Sequence, residues 1–94
     1  MGISMNTAFA LAFRFGTTIV PLKDISEEFL GITAKTANTR ANTGDIEIPV
    51  FQLRESSKSP YLVKIEDLAF YIDECHRKAK AEWQSVNPNR ASFG

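Results

Sequence analysis

The only histidine and the only cysteine of this 94-residue chain stand side by side, as His76 and Cys75. Within a helix, neighbouring residues point about 100° apart, so the two side chains cannot meet as nucleophile and base. The expectation is a core position for Cys75 and a helix rim for His76. The carboxylate pairs Glu27–Glu28 and Glu66–Asp67 fall in first turns or on solvated faces, where they complement a helix dipole. No glycine-rich phosphate loop follows a strand, and a single thiol cannot build a thiolate metal site. No catalytic residue, metal or cofactor is therefore expected, and the chain does not read as an enzyme.

Residues suited to another kind of chemistry lie between Thr33 and Gly44. That stretch holds no acid, whereas the segment before it carries Asp24, Glu27 and Glu28. On a helical wheel Ala34, Ala37 and Ala41 share an inward face. Lys35, Thr36, Thr39 and Thr43 lie opposite, with Arg40 and Asn42 on the flanks. Such a set suits the DNA major groove, whose base edges offer hydrogen-bond partners and a thymine methyl. Thr33 caps this helix. Farther on, Arg54, Ser57 and Lys58 sit in a serine-rich loop suited to holding phosphates without reading sequence, and Lys64 follows it.

The elements that must position these residues can be read from spacing. Asn6 to Phe15 reads as a helix capped at Asn6 or Thr7 and stopped by Gly16. It is apolar on nearly every side and so requires cover. Pro21 opens a second helix with Leu22, Ile25 and Phe29 on one stripe, ended by Gly31. Thr33 to Thr43 is the third, and the two short helices form a helix-turn-helix pattern. Ile46 to Leu53, interrupted near Pro49, and Tyr61 to Ile65 read as the two strands of a hairpin. A final helix starts near Glu66–Asp67, with Ile65, Leu68, Ala69, Ile72, Cys75, Ala79 and Trp83 at helical spacing. The fold class expected is α+β and mainly helical: a winged helix-turn-helix with a two-stranded wing, an extra N-terminal helix and a long C-terminal helix. One domain is expected over residues 1–84, with a flexible tail over 85–94.

Composition bounds the function. With 44% hydrophobic residues the chain is globular, and its longest apolar run, Ala8 to Phe13, is far short of a membrane span. Without a secretory signal, the chain is expected in the cytoplasm. Eleven Lys and Arg balance eleven Asp and Glu, giving a formal net charge of zero. The charges are segregated, however. From Thr33 to Ile65 five cations (Lys35, Arg40, Arg54, Lys58, Lys64) meet three acids (Asp45, Glu47, Glu55), and the flanking helices hold the compensating carboxylates.

Several short strings carry a family resemblance: Asn6-Thr7-Ala8-Phe9, the Pro21-Leu22 helix start, Gly44 to Pro49, Lys58 to Val63, and Asp67 to Asp73. In this order and spacing they resemble the pyocin activator PrtN family, from about Asn6 to Trp83. The middle of the chain also resembles the broader excisionase and MerR-like winged-helix group. The resemblance implies a small bacterial or prophage-encoded DNA-binding regulator. Its wing is poorer in basic residues, and its third helix richer in Thr and Asn, than is typical of that group.

The expected function is sequence-specific binding of double-stranded DNA as a transcriptional regulator of a prophage-like element, as an activator. Lys35, Thr36, Thr39, Arg40, Asn42 and Thr43 would face the major groove. Thr33, Arg54, Ser57, Lys58 and Lys64 would hold the backbone. Few cations per subunit imply a homodimer or a cooperative oligomer, with Phe9, Phe13 and Trp83 in the contacts. No membrane and no small-molecule substrate is expected. Two alternatives stay open: an excisionase-like directionality factor that bends DNA at attachment sites, and a protein-interaction module such as an antirepressor.

Overall fold

A computed structural model describes residues 6–54 and 58–87 of the chain. Helix α1 spans Thr7–Phe15. The Asn6 side chain accepts the Phe9 N–H at 2.7 Å, and Gly16, at φ 73°, ends the helix in the left-handed region that favours glycine. Strand β1 (Ile19–Pro21) leads into helix α2 (Leu22–Ile25), which continues as a π-helical turn over Ser26–Leu30. Helix α3 covers Ala34–Thr43, strand β2 Leu62–Lys64, and helix α4 Ile65–Val86. The result is a mainly helical α+β fold with a small antiparallel sheet and a long C-terminal helix, winged-helix-like in its layout.

The sheet differs from the expected hairpin. Strand β2 pairs with β1, in the register Ile19↔Lys64, Val20↔Val63 and Pro21↔Leu62. The 46–53 segment reaches it through one bridge, Phe51↔Leu62. The cause lies in burial and in backbone donors. Val20 and Val63 face each other as buried β-branched residues, a pairing favoured in strands. Pro49 offers no N–H to a ladder. Ile48 instead turns into the core from irregular backbone, with Ile46 and Val50 packed beside it.

One core serves the described residues. Leu11, Val20, Leu22, Ile25, Ala37, Ala41, Ile48, Val63, Ile65, Leu68 and Ala69 are buried together. Helix α1 lays Leu11 into this core, and Thr7 Oγ1 donates to Asp73 Oδ1 at 2.6 Å on α4. Its other end is tied to the π-helical turn. Arg14 pairs with Glu28 at 2.5 Å and stacks its guanidinium over the rings of Phe15 and Phe29, 5.0 and 5.5 Å from their centroids.

Three other expectations change. Ala34 is exposed in the first turn of α3, so only Ala37 and Ala41 form the inward face. Cys75 is exposed, because the core covers α4 only as far as Ile72. Helix α4 itself runs to Val86, and residues 88–94 of the chain lie outside the described residues. The cover expected for α1 is one-sided: Phe9 and Phe13 remain 57% and 81% exposed, as Trp83 on α4 remains 44% exposed.

Candidate nucleic-acid interface

Helix α3 is fixed at both ends and along one side. Thr33 Oγ1 accepts the Thr36 N–H at 3.1 Å and donates to Thr36 Oγ1 at 3.0 Å, so the two hydroxyls cap the helix together. Gly44, at φ 76°, closes the far end, its N–H on Ala41 O, while Asp45 N–H reaches Arg40 O at 2.8 Å. Ala37 and Ala41 press the helix closely onto α2.

The opposite face is polar and open. Lys35, Thr39, Asn42 and Thr43 are exposed, and Thr36 and Arg40 are half-buried on one flank. The Thr39 hydroxyl donates to Lys35 O and the Thr43 hydroxyl to Arg40 O, both at 3.1 Å. Each threonine thus spends its proton on its own helix and presents outward a methyl group and an acceptor oxygen.

The wing strand lies against the other flank. Tyr61 donates its hydroxyl to Asn42 Oδ1 at 2.6 Å, across 19 residues of sequence. A small groove of about 90 Å³ beside this contact is lined by Leu22, Lys23, Ala34, Asn38, Pro60 and Tyr61. Asn38, Lys23 and Tyr61 were absent from the sequence-based set. Asn38 could have been found there, since it stands one helical turn from both Ala34 and Asn42. Tyr61 could not, because its role depends on where the strand packs.

At the wing, Arg54 and Lys58 line a cleft of about 360 Å³ with Leu53, Ser59 and Pro60. Gln52 Nε2 donates to Ser59 O at 2.6 Å and closes the base of the loop. Ser57, expected here, lies outside the described residues. Lys64 is placed elsewhere. It pairs with Glu66 at 2.7 Å and borders a cavity with Ala8, Thr18 and Ile65, where α1 meets the start of α4. The carboxylate partner holds the Lys64 ammonium above its ordinary value, and Lys64 in turn holds Glu66 below its own.

The structure therefore brings together α3, Lys23, Tyr61 and the Arg54–Lys58 cleft, and sets Lys64 with α1. No described helix is long and apolar enough to cross a membrane. Among the described residues, no cluster of three His, Cys, Asp or Glu could hold a metal ion. A family model for the pyocin activator protein PrtN matches residues 7–79, which takes in every element from α1 to the middle of α4. No curated protein and no solved structure gives a significant match. The chain belongs to the pyocin activator protein PrtN family.

Proposed function

We propose that this chain is a transcriptional activator that binds double-stranded DNA in the cytoplasm, with α3 in the major groove and Arg54 and Lys58 on the phosphate backbone. The observation that carries this reading is the open face of α3, which holds Lys35, Thr39, Asn42 and Thr43 and no acid, beside a cleft carrying Arg54 and Lys58. Cations on the loop supply sequence-independent attraction, and the Asn, Thr and Lys side chains of α3 supply base contacts. Arg40 and Thr36 sit on the half-buried flank, where they suit a groove wall better than its floor.

Few cations per subunit make one copy a weak binder, so subunits act together on DNA. Phe9 and Phe13 on α1 and Trp83 on α4 are among the exposed apolar side chains and supply that contact. The testing experiment is a gel shift with promoter fragments from the source genome, comparing the natural chain with Lys35→Ala and Asn42→Ala. Each substitution of a base-contacting residue should cost about 1–3 kcal/mol of specific affinity and leave nonspecific affinity nearly intact. Equal shifts by all three proteins on an enriched fragment would remove α3 from the interface.

A further inference from the structure

We propose that Tyr61 sets which base Asn42 reads, by turning its amide so that only donors face outward. This rests on the DNA-binding reading above. The Tyr61 hydroxyl donates to Asn42 Oδ1 at 2.6 Å, which draws the carbonyl end of the amide toward the wing strand. Asn42 itself is exposed on α3, so its Nδ2 end is the part left for a ligand.

The tyrosine is held firmly enough to impose this. Its backbone carbonyl accepts the Leu22 N–H at 2.9 Å, at the start of α2. The next residue, Leu62, pairs with Pro21 on one side and Phe51 on the other. The phenol ring also lines the groove with Ala34 and Asn38, so it lies along a stripe of α3 spaced every four residues. An aromatic ring on so fixed a backbone loses little freedom in holding an amide, since only two side-chain torsions move it.

The chemical consequence is specific. An asparagine that reads adenine uses both ends of its amide, accepting from N6–H₂ and donating to N7. With Oδ1 turned to Tyr61, the outward end has two N–H donors, and the adenine amino group would oppose them donor to donor. Guanine presents two acceptors, O6 and N7, on its major-groove edge. Asn42 in this setting favours guanine over adenine. Tyr61 is a positioning residue in this scheme, touching the amide and not the base.

The test is selection of bound duplexes from a randomised pool by the full chain, repeated with Tyr61→Phe, Asn42→Ala and Asn42→Asp. The natural chain should select guanine at one position whose preference disappears in Asn42→Ala. Tyr61→Phe should relax that position toward adenine, while other positions keep their preferences and unfolding temperature changes little. Asn42→Asp keeps the acceptor for Tyr61 and loses the donors, so it should lose the guanine preference on the order of tenfold. Where Tyr61→Phe unfolds, the natural chain's choice of guanine over adenine at the Asn42-dependent position decides the matter. Adenine at the Asn42-dependent position in the natural chain, or an unchanged preference in Tyr61→Phe, would overturn this assignment and leave DNA binding standing. Failure of the natural chain to retain any duplex would overturn both.

Discussion

Phe51 and Leu62 exchange both of their backbone hydrogen bonds, at 3.0 and 2.7 Å, and this one bridge fastens the wing to the sheet. Leu62 is thereby flanked on both sides, by Pro21 of β1 and by Phe51. Amide exchange should reflect it. The Phe51 and Leu62 N–H groups should exchange slowly, as should Leu22 and Ile65, whose donors go to Tyr61 O and Thr18 O. Leu53 and Arg54, two or three residues past the bridge, should exchange far faster. Uniformly fast exchange from Phe51 to Arg54 would show the wing unfastened.

The core and the α3 cap make separable contributions to stability. Leu68 is fully buried, so Leu68→Ala should cost about 2–5 kcal/mol in denaturant unfolding. Thr33→Ala removes the acceptor for the Thr36 N–H and should cost about 0.5–2 kcal/mol. A Thr33→Ala cost as large as that of Leu68→Ala would mean that α3 relies on its cap more than on Ala37 and Ala41.

Much of this layout is legible in the sequence, and the reason is local. Asn6, Thr33 and the glycines at 16, 31 and 44 act within a few residues of themselves, so helix bounds can be read directly. Strand pairing is not local. Thr17 to Val20 is a β-branched run, but only packing decides that Val20, and not the 46–53 segment, lies along Val63. The π-helical turn is hidden for a similar reason. Ser26 is wholly buried, its hydroxyl on Lys23 O, and no residue type there announces a widened turn. At the interface, the α3 side chains follow from periodicity, whereas Tyr61 enters through a tertiary contact.

Thiol reactivity checks the position of Cys75. The side chain lies in a groove of about 480 Å³ with Glu47, Tyr71 and Lys78, beyond the reach of the core. Under native conditions a thiol reagent should label one site per chain at a rate close to that in denaturant. Tyr71 beside it should ionise above its ordinary value of 10.0, raised first by burial and then by the neighbouring thiol. Protection of Cys75 until unfolding would place it in the core after all.

Stability should also depend on pH in one direction. Arg14, Lys64 and Arg77 hold Glu28, Glu66 and Glu74 below the ordinary glutamate value of 4.5. Groups shifted this way stabilise the fold above the unfolded-state value, and the contribution disappears as pH falls through the lowered folded-state values. All three pairs are exposed, so the effect is small and screened by salt. Unfolding temperature should be flat from pH 7 to about 5 in these terms and fall below that. Arg14→Ala should shrink the acid-side slope at low salt, and an unchanged slope would show the Arg14–Glu28 pair to be idle.

DNA binding itself is tested most directly by the salt dependence of duplex affinity, measured by fluorescence anisotropy on an enriched fragment. Lys23, Lys35, Arg40, Arg54 and Lys58 are the cations on or near the proposed surface. If three to five of them neutralise phosphates, log affinity should fall linearly with log salt, at a slope of about −3 to −4.5 per subunit. Arg54→Ala should reduce that slope by about one and weaken all sequences alike. A duplex affinity that does not change with salt, or no binding at 50 mM salt, would contradict the account and turn the same helices toward a protein partner.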